Sequence, residues 1–170
     1  MSSPNTAISR RGPSAPMKLA WKLGIVNKNT TVLDYGCGLG ADVRWLRSLG
    51  VAAQGYDLHH QPDLPKGKFQ AVTCLYVINV IPDKEQRLAM LSRIIDKTAK
   101  GGNLFLVSRS DTEVDGLGHK KGWNRYRDGW ETSKGFQKGY STEELLRFCQ
   151  HDKLQFHGAV RPCGLLFQKI

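Results

Sequence analysis

Residues 31–40 read Thr-Val-Leu-Asp-Tyr-Gly-Cys-Gly-Leu-Gly, and this stretch decides the fold. Its first five residues are mostly β-branched, apolar or aromatic, which predicts a strand over 31–35. Glycines at alternate positions then predict a tight turn, because glycine adopts left-handed backbone angles without strain. Val43, Leu46 and Leu49 follow at helical spacing. A strand, a glycine turn and a helix in this order predict a site where a ligand lies against the backbone.

The rest of the chain alternates between helix and strand patterns. A helix is predicted to begin at Asp83, where Gln86 completes a capping box, and to end at the Gly101-Gly102 pair. The other predicted helices cover 13–25, 41–49 and 141–151, and the predicted strands cover 31–35, 51–57, the stretch beginning at 69, 103–108, 154–160 and 165–169. Alternation of this kind predicts an α/β fold with a doubly wound, mostly parallel sheet. The C-terminal hairpin is expected to add an antiparallel strand at one edge.

Length and composition bound the domain organisation. A chain of 170 residues suits one domain. Residues 1–12 are rich in Ser, Asn, Pro and Gly and predict a flexible N-terminal arm, which leaves 13–170 as a single domain. Within it, residues 109–140 are rich in Gly, Lys, Arg and aromatic side chains, and they predict a basic, aromatic insert.

Cysteine usage bears on metal binding and on location. Cys37, Cys74, Cys149 and Cys163 form no CxxC pair, so the sequence predicts no metal site. Four scattered cysteines are expected to be reduced thiols, which points to the cytoplasm. No apolar run approaches the length of a membrane span, and no membrane partner is expected.

Charge is the unusual global property. Lys plus Arg number 25 against 15 Asp plus Glu, which gives a net charge of +10. An excess of this size favours a polyanionic partner such as nucleic acid, because bound cations release condensed counterions. The alternative is that the protein is simply soluble and basic, and that its charge does not reflect a polyanionic partner.

Two carboxylates flank the glycine turn. Asp57 ends the next predicted strand, seventeen positions after Gly40, where an acid can accept hydrogen bonds from the hydroxyls of a ribose. Asp34 precedes the turn and could order it or receive an amine of the ligand. The dinucleotide fingerprint Gly-x-Gly-x-x-Gly differs from the Gly-x-Gly-x-Gly spacing found here, which disfavours a dehydrogenase.

Asp-Tyr-Gly-Cys-Gly-Leu-Gly resembles the first motif of class I methyltransferases, which use S-adenosylmethionine (SAM). The resemblance covers residues 30–170 and implies a Rossmann-like fold with SAM as cofactor. It implies that the glycine loop wraps the methionine half of SAM, that Asp57 holds the ribose, and that residues near Tyr76 line the cleft beside the sulfonium. The cofactor-binding residues it implies are Asp34, Gly36, Cys37, Gly38, Gly40, Asp57, Leu58, Tyr76 and Val77.

The chain departs from that family between its second and third predicted strands. Only residues 58–68 separate Asp57 from Phe69, where a usual family member fits a helix and a further strand. The third strand of the family is therefore expected to be missing or vestigial. Leu58 and Asp63 are the candidates for contacts with adenine.

Three further stretches resemble the small methyltransferases found near DNA phosphorothioation genes. They are Thr-Ala-Ile-Ser-Arg over 6–10 with Pro-Ser-x-Pro over 13–16, Tyr-Val-Ile-Asn-Val-Ile over 76–81, and Thr-Ser-Lys-Gly-Phe-Gln-Lys over 132–138. This resemblance implies a context linked to DNA.

Candidates for the chemistry are few, because methyl transfer from a sulfonium depends mainly on positioning. Asn79 is the polar candidate at the cleft edge, with a turn-capping role as the alternative. Arg109 follows the strand over 103–108 and is the second catalytic candidate, with a solvated loop arginine as the alternative.

The candidates for binding an acceptor come from the two basic segments. Trp123, Arg125 and Tyr126 mix rings that can stack on bases with a cation that can meet phosphates, and Lys138 extends this surface. The alternative is that Trp123, Tyr126 and Trp130 pack into a small core of their own. Arg10 is expected to fold over the cleft as part of a lid.

Three functions remain open at this point. The first is methyl transfer to nucleic acid, DNA or RNA, which explains the glycine motif, the charge and the basic insert together. The second is methyl transfer to a small molecule. The third is SAM binding for regulation without turnover.

Overall fold

A computed structural model describes residues 7–170 of the chain. The first half of the predicted arm over 1–12 lies outside the described residues, and 7–12 run as an irregular segment. The helices are α1 (Ala15–Lys22), α2 (Ala41–Ser48), α3 (Lys84–Lys97), α4 (Asp111–Lys121) and α5 (Thr142–Phe148). The strands are β1 (Thr31–Tyr35), β2 (Ala52–Tyr56), β3 (Phe69–Leu75), β4 (Thr98–Val107), β5 (Asn124–Tyr126), β6 (Gly129–Thr132), β7 (Gly135–Gln137), β8 (Leu154–Val160) and β9 (Gly164–Lys169).

Six strands form the main sheet, in the order β2-β1-β3-β4-β9-β8. The pairs β1–β2, β1–β3 and β3–β4 are parallel, whereas β9 is antiparallel to both β4 and β8. The predicted α/β sheet, mostly parallel with an antiparallel C-terminal strand, is therefore confirmed. The carboxyl ends of four neighbouring strands meet at one edge, which is where sheets of this type place their ligands.

The central strands are buried on both faces, and their alternating side chains divide the core. Val32 of β1 packs in one cluster with Leu46 of α2, whereas Leu33 packs in the other with Ile94 of α3. Strands covered on both faces carry nearly continuous apolar runs, as β3 does with Ala-Val-Thr-Cys over 71–74. Helices on both faces make the sheet doubly wound.

The predicted end of one helix and the predicted start of the next strand are wrong. The helix α3 ends at Lys97 rather than at the Gly101-Gly102 pair, because β4 begins at Thr98 rather than at 103. The first residues of β4 pair irregularly with β3, and the register of this pair shifts between Phe69 and Ala71. The antiparallel strand β9 lies one position inside the sheet, between β4 and β8, and not at the edge.

The segment between β2 and β3 explains the shortened sheet. Among residues 7–170, the chain forms no further strand after β2 and before β3, as predicted. In the sheet, β2 is therefore an edge strand. Asp57 and Gln61 form an isolated bridge that turns the chain back after β2. Leu64 then packs against the core cluster on the α3 face.

Residues 109–140 are more regular than their composition indicates. They form α4 and a separate antiparallel sheet in the order β5-β6-β7, called the small sheet below. The small sheet packs on α4, since a Cβ atom at Gly118 would lie 2.5 Å from the Trp130 ring. The Trp130 indole nitrogen donates to Asp115 Oδ1 at 2.7 Å.

No helix among the described residues is long and apolar enough to cross a membrane. All four cysteines are buried free thiols.

Candidate functional site

The glycine loop connects β1 to α2 and has left-handed backbone angles at all three of its glycines. Gly36, Gly38 and Gly40 have φ angles of 82°, 53° and 76°. A Cβ atom at Gly36 would lie 2.2 Å from Val77 Cγ2, so no other residue fits there without a shift. The amides of Gly36 and Cys37 both donate to the Tyr56 carbonyl, at 2.7 and 3.0 Å, which ties the loop to the end of β2.

Asp57 follows β2 and is held by backbone amides on both of its oxygens. Its Oδ2 accepts from the Gly38 amide at 3.1 Å, and its Oδ1 accepts from the amides of His59 and His60, each at 3.0 Å. The carboxylate is therefore fixed beside the glycine loop. Its remaining lone pairs are available to hydroxyl groups of a ligand.

Two cavities meet at this carboxylate. The first has a volume of about 130 Å³ and lies over the glycine loop between the N-terminal segment and Tyr76. The second has a volume of about 330 Å³ and lies against α3. Both are lined by Gly36, Asp57, His59 and Val77. Together they have the size of a small-molecule site.

Asp34 lies beneath the loop rather than in either cavity. Its Oδ1 accepts from Thr73 Oγ1 at 2.8 Å, and only 3% of the residue is exposed. Burial raises the pKa of its carboxyl to about 7, and the neighbouring Asp42 adds to the rise. Of the two roles predicted for Asp34, the geometry favours ordering the loop over direct contact with an amine.

Asp42, in the first turn of α2, is a buried carboxylate that the sequence analysis missed. It accepts from the Ser14 amide at 2.6 Å, from Ser14 Oγ at 2.8 Å and from Arg10 Nη2 at 3.3 Å. These bonds hold residues 7–14 against the cleft, where Ala7, Ile8 and Arg10 line the first cavity. An acid in the first turn of a helix after a glycine loop was the available signal.

Arg10 lines the first cavity, and its predicted role as part of a lid over the cleft stays a prediction. Its side chain is 36% exposed, and its guanidinium is paired with Asp42. A role toward substrate stays a prediction.

Tyr76 lines the first cavity and is partly exposed. It follows β3 with a φ angle of 60°, a left-handed conformation that a tyrosine rarely adopts, and 37% of it is exposed. Its amide donates to the Val107 carbonyl at 2.7 Å, which holds the residue in this conformation. Burial raises the pKa of its hydroxyl, as does the nearby Glu113 carboxylate, whereas Arg109 lowers it.

The two predicted catalytic residues belong to one polar cluster behind Tyr76. Asn79 Nδ2 donates to Gln137 Oε1 at 3.3 Å, and Arg109 Nη1 donates to the same oxygen at 3.5 Å. Arg109 also pairs with Glu113 at 2.6 Å. Asn79 is 1% exposed and its Oδ1 has no hydrogen-bond partner. Neither residue lines a cofactor cavity, so catalytic roles for both stay predictions.

The predicted acceptor-binding residues divide into an exposed group and a buried one. Arg125 and Tyr126 are exposed on β5, and the Arg125 guanidinium stacks over Trp130 at 3.8 Å from the ring centroid. Trp123 is half-buried beside Lys121.

Lys138 differs from these three. It is 9% exposed, and its Nζ lies 2.8 Å from Glu144 and 3.8 Å from Asp128. The Lys138 ammonium forms ion pairs inside the protein. The prediction that Lys138 extends the basic surface is therefore wrong.

Cys37 lies in the glycine loop and lines the first cavity as a neutral thiol. Burial raises its pKa to about 12, and the Asp34 carboxylate adds to the rise. Its role is therefore to form the wall of the cavity rather than to act as a nucleophile. No group of three or more His, Cys, Asp or Glu side chains among residues 7–170 could hold a metal ion.

The residues at these cavities fit SAM. Glycines leave the loop backbone open, Asp57 offers a fixed acceptor for ribose hydroxyls, and the two cavities extend in different directions from it. When bound, SAM supplies a methyl group on a sulfonium that needs no further activation. The chain's own task is to orient the acceptor, and Tyr76 is one of the lining side chains of the first cavity that stay partly exposed.

Comparison with known proteins agrees with this geometry. A family model described as a methyltransferase domain matches residues 10–151. A search of curated protein sequences finds no significant match.

Solved structures of methyltransferases share the fold. A sugar N-methyltransferase from Streptoalloteichus superposes with a TM-score of 0.67 at 15% identity, covering 92% of this chain and 87% of that one. An amino pentose methyltransferase from Micromonospora echinaspora with bound SAM gives 0.56 at 15% identity, covering 90% and 89%. Magnesium protoporphyrin IX methyltransferase from Synechocystis with bound S-adenosylhomocysteine gives 0.57 at 18% identity, covering 89% and 78%. The chain belongs to the methyltransferase domain family and is an enzyme that uses SAM as its methyl donor.

Proposed function

We propose that this enzyme transfers the methyl group of SAM to a nucleic acid. The observation that carries the proposal is the net charge of +10, which favours a polyanionic acceptor. The resemblance to methyltransferases found near DNA phosphorothioation genes supports DNA in particular.

The small sheet is the surface that would meet the acceptor. The outer strand β5 carries Arg125 and Tyr126, and Trp123 lies just before it. The end of the adjoining α4 carries two exposed lysines, Lys120 and Lys121. Rings beside cations suit exposed bases and phosphates together.

This surface connects to the cleft through Gln137 at the end of β7. Its side chain accepts from Asn79, two residues after Val77, and from Arg109. An acceptor held on the small sheet would therefore lie beside the first cavity at Tyr76.

A second candidate is methyl transfer to a small amine-bearing molecule such as an amino sugar. Ion pairs reduce the free charge of the small sheet, since Arg125 lies 3.5 Å from Asp115 and Arg127 lies 2.8 Å from Asp83. Two of the structurally similar enzymes are named for sugar and amino pentose acceptors.

Transfer of tritium from methyl-labelled SAM distinguishes the two. Duplex DNA, single-stranded DNA and tRNA are tested beside an amino sugar, each over a series of salt concentrations. A nucleic-acid acceptor predicts label in a polynucleotide, with binding that falls by about 0.9 log units per neutralised phosphate for each log unit of salt on duplex DNA. Label in the amino sugar alone, without salt dependence, would refute the proposal and support the second candidate.

A matched pair of variants tests the surface. Lys121→Gln removes an exposed charge beside the small sheet. Lys100→Gln removes an exposed charge near the amino end of β4, which is the end of the strand away from the cleft. Lys121→Gln is expected to weaken polynucleotide binding and to reduce the salt slope by about one phosphate, while Lys100→Gln changes neither. Equal effects of the two substitutions would contradict the placement of the acceptor.

A further inference from the structure

The two faces of the small sheet contact different parts of the protein. Trp130 lies on one face and packs on α4. Glu131 lies on the other face, because neighbouring residues of a strand point to opposite sides. In the register of the sheet, Glu131 pairs with Phe136 on one side and with Asn124 on the other, and Asn124 lies two residues before Tyr126. Tyr126, Glu131 and Phe136 therefore share this second face.

A cavity of about 240 Å³, called the small-sheet cavity below, lies between this second face and the turn that follows β3. Tyr126, Glu131 and Phe136 line it from the sheet, and Val80 and Pro82 line it from the turn. Val80 also lines the cavity over the glycine loop, so the two cavities are neighbours. Drug-sized ligands occupy sites of roughly 300–1,000 Å³, so this volume suits a single ring system.

The aromatic side of the small-sheet cavity is built from one buried ring and one exposed ring. Phe136 is 7% exposed and lies over Gly129, where a Cβ atom would be 2.6 Å from Phe136 Cζ. Tyr126 contacts Phe136 edge-on, with ring centroids 6.4 Å apart and planes at 75°. Since 46% of Tyr126 is exposed, its ring offers a surface on which the ring of a ligand can stack.

Glu131 brings a carboxylate to the same cavity. Its side chain is exposed, and among residues 7–170 it has neither an ion pair nor a hydrogen bond. Other acids of the region are paired, as Asp115 is with Arg125 and Asp128 with Arg87. A free carboxylate repels the phosphates of a nucleic acid and accepts hydrogen bonds from its bases. The small-sheet cavity is therefore suited to a base rather than to the sugar-phosphate backbone.

We propose that the small-sheet cavity binds an unstacked base of the acceptor strand, with its ring on Tyr126 and its exocyclic amine donating to Glu131. This inference rests on the proposed function and specifies its substrate as a base that carries an amine. Cytosine presents its N4 amine where thymine presents the O4 acceptor, so a carboxylate at this position favours cytosine over thymine. A base reaches such a cavity from a single strand, or after it leaves the stack of a duplex.

Single-stranded oligomers of deoxycytidine and of thymidine, equal in length, test the role of the amine. Both are pyrimidines with the same backbone charge, so a difference in binding reports the base edge. Fluorescence anisotropy at constant salt, with S-adenosylhomocysteine present, is expected to show that the wild type binds the deoxycytidine oligomer about fivefold or more tightly than the thymidine oligomer. The Glu131→Gln variant is expected to bind the two oligomers equally, because an amide can either donate or accept.

Glu85→Gln is the matched control. Glu85 is an exposed acid of α3 that does not line the small-sheet cavity, and its substitution removes the same charge. Loss of one acid strengthens the binding of any polyanion, so both variants should bind the thymidine oligomer equally well. Only Glu131→Gln should lose the preference for deoxycytidine. Neither residue lines a cofactor cavity, so unchanged titration of S-adenosylhomocysteine verifies that both variants are folded.

A second pair of variants tests stacking. Tyr126→Leu is expected to weaken the binding of both oligomers about fivefold or more, whereas Tyr126→Phe keeps a ring and stays within about twofold of the wild type. Equal binding of the two oligomers by the wild type, or the same preference in Glu131→Gln as in Glu85→Gln, would overturn this inference and leave methyl transfer to nucleic acid standing. Absence of both binding and label for every oligomer would refute the proposed function, and this inference with it.

Discussion

Replacing Gly36 by alanine is expected to lower the free energy of unfolding for two reasons, one in the backbone and one in side-chain packing. The residue has a φ angle of 82°, and a left-handed angle costs a residue with a Cβ atom about 1–2 kcal/mol. The added Cβ would also lie 2.2 Å from Val77 Cγ2, an overpacking that costs about 1–3 kcal/mol. Gly36→Ala is therefore expected to lower the free energy of unfolding by about 2–5 kcal/mol. It also narrows the point where the two cavities meet, so SAM binding falls.

Two further variants isolate each cost. Gly50 has the same φ angle of 82° with no atom within 4 Å of its Cβ position, so Gly50→Ala should lose only the backbone part, about 1–2 kcal/mol. Val77→Ala removes the clashing methyl and leaves Val77 Cβ at 3.2 Å. In the Gly36→Ala/Val77→Ala double variant, urea unfolding should recover about 1–3 kcal/mol relative to the sum of the single variants. Strict additivity, or equal costs at positions 36 and 50, would refute the reasoning.

Three other outcomes are expected. Asp57→Ala removes the fixed acceptor of the ribose hydroxyls and should weaken SAM binding by about 1.5–3 kcal/mol in calorimetry; unchanged affinity would contradict the assignment of the ribose site. Asp42→Ala leaves the buried amide and hydroxyl of Ser14 without an acceptor and should lower the free energy of unfolding by about 2–3 kcal/mol in urea, whereas a loss below the error would show that the contact is dispensable. Because burial raises the pKa of Asp34 from 3.8 to about 7, the folded state holds a proton between these values that the unfolded state has released. Stability of the ligand-free protein should therefore fall by up to about 4 kcal/mol as the pH rises from 4 to 7, and Asp34→Asn should abolish that decline.

The strand, turn and helix over 31–49 could be predicted because each level of the sequence agrees there. β-branched residues, alternating glycines and helical apolar spacing all favour one local structure. Asp57 could be placed for the same reason, since the end of a parallel strand fixes where its next side chain lies. The cofactor half of the site is thus local in the sequence.

The segment 109–140 could not be predicted, because its structure depends on contacts rather than on periodicity. The strands β5 and β7 have three residues each, which is too short for an alternating pattern. Trp130 is 4% exposed through packing on α4, while Tyr126 on the paired strand stays 46% exposed. No spacing rule distinguishes these two rings.

Charges were misjudged for a related reason. Lys138 looks like one more surface cation in the sequence, but Glu144 and Asp128 surround its ammonium in the folded chain. Arg87 is also buried and reaches Asp128 at 2.5 Å. Arg87 and Asp128 are 41 residues apart, so this pair cannot be read from local sequence, and tertiary ion pairs of this kind decide which cations remain available to a partner.

Calorimetric titration of S-adenosylhomocysteine into the purified protein, with NAD as a control, tests the central claim most directly. The geometry of the glycine loop, Asp57 and the two cavities predicts saturable, one-to-one binding of S-adenosylhomocysteine and no binding of NAD. Absence of S-adenosylhomocysteine binding to the folded protein, or binding of NAD in its place, would contradict the assignment of this site to SAM.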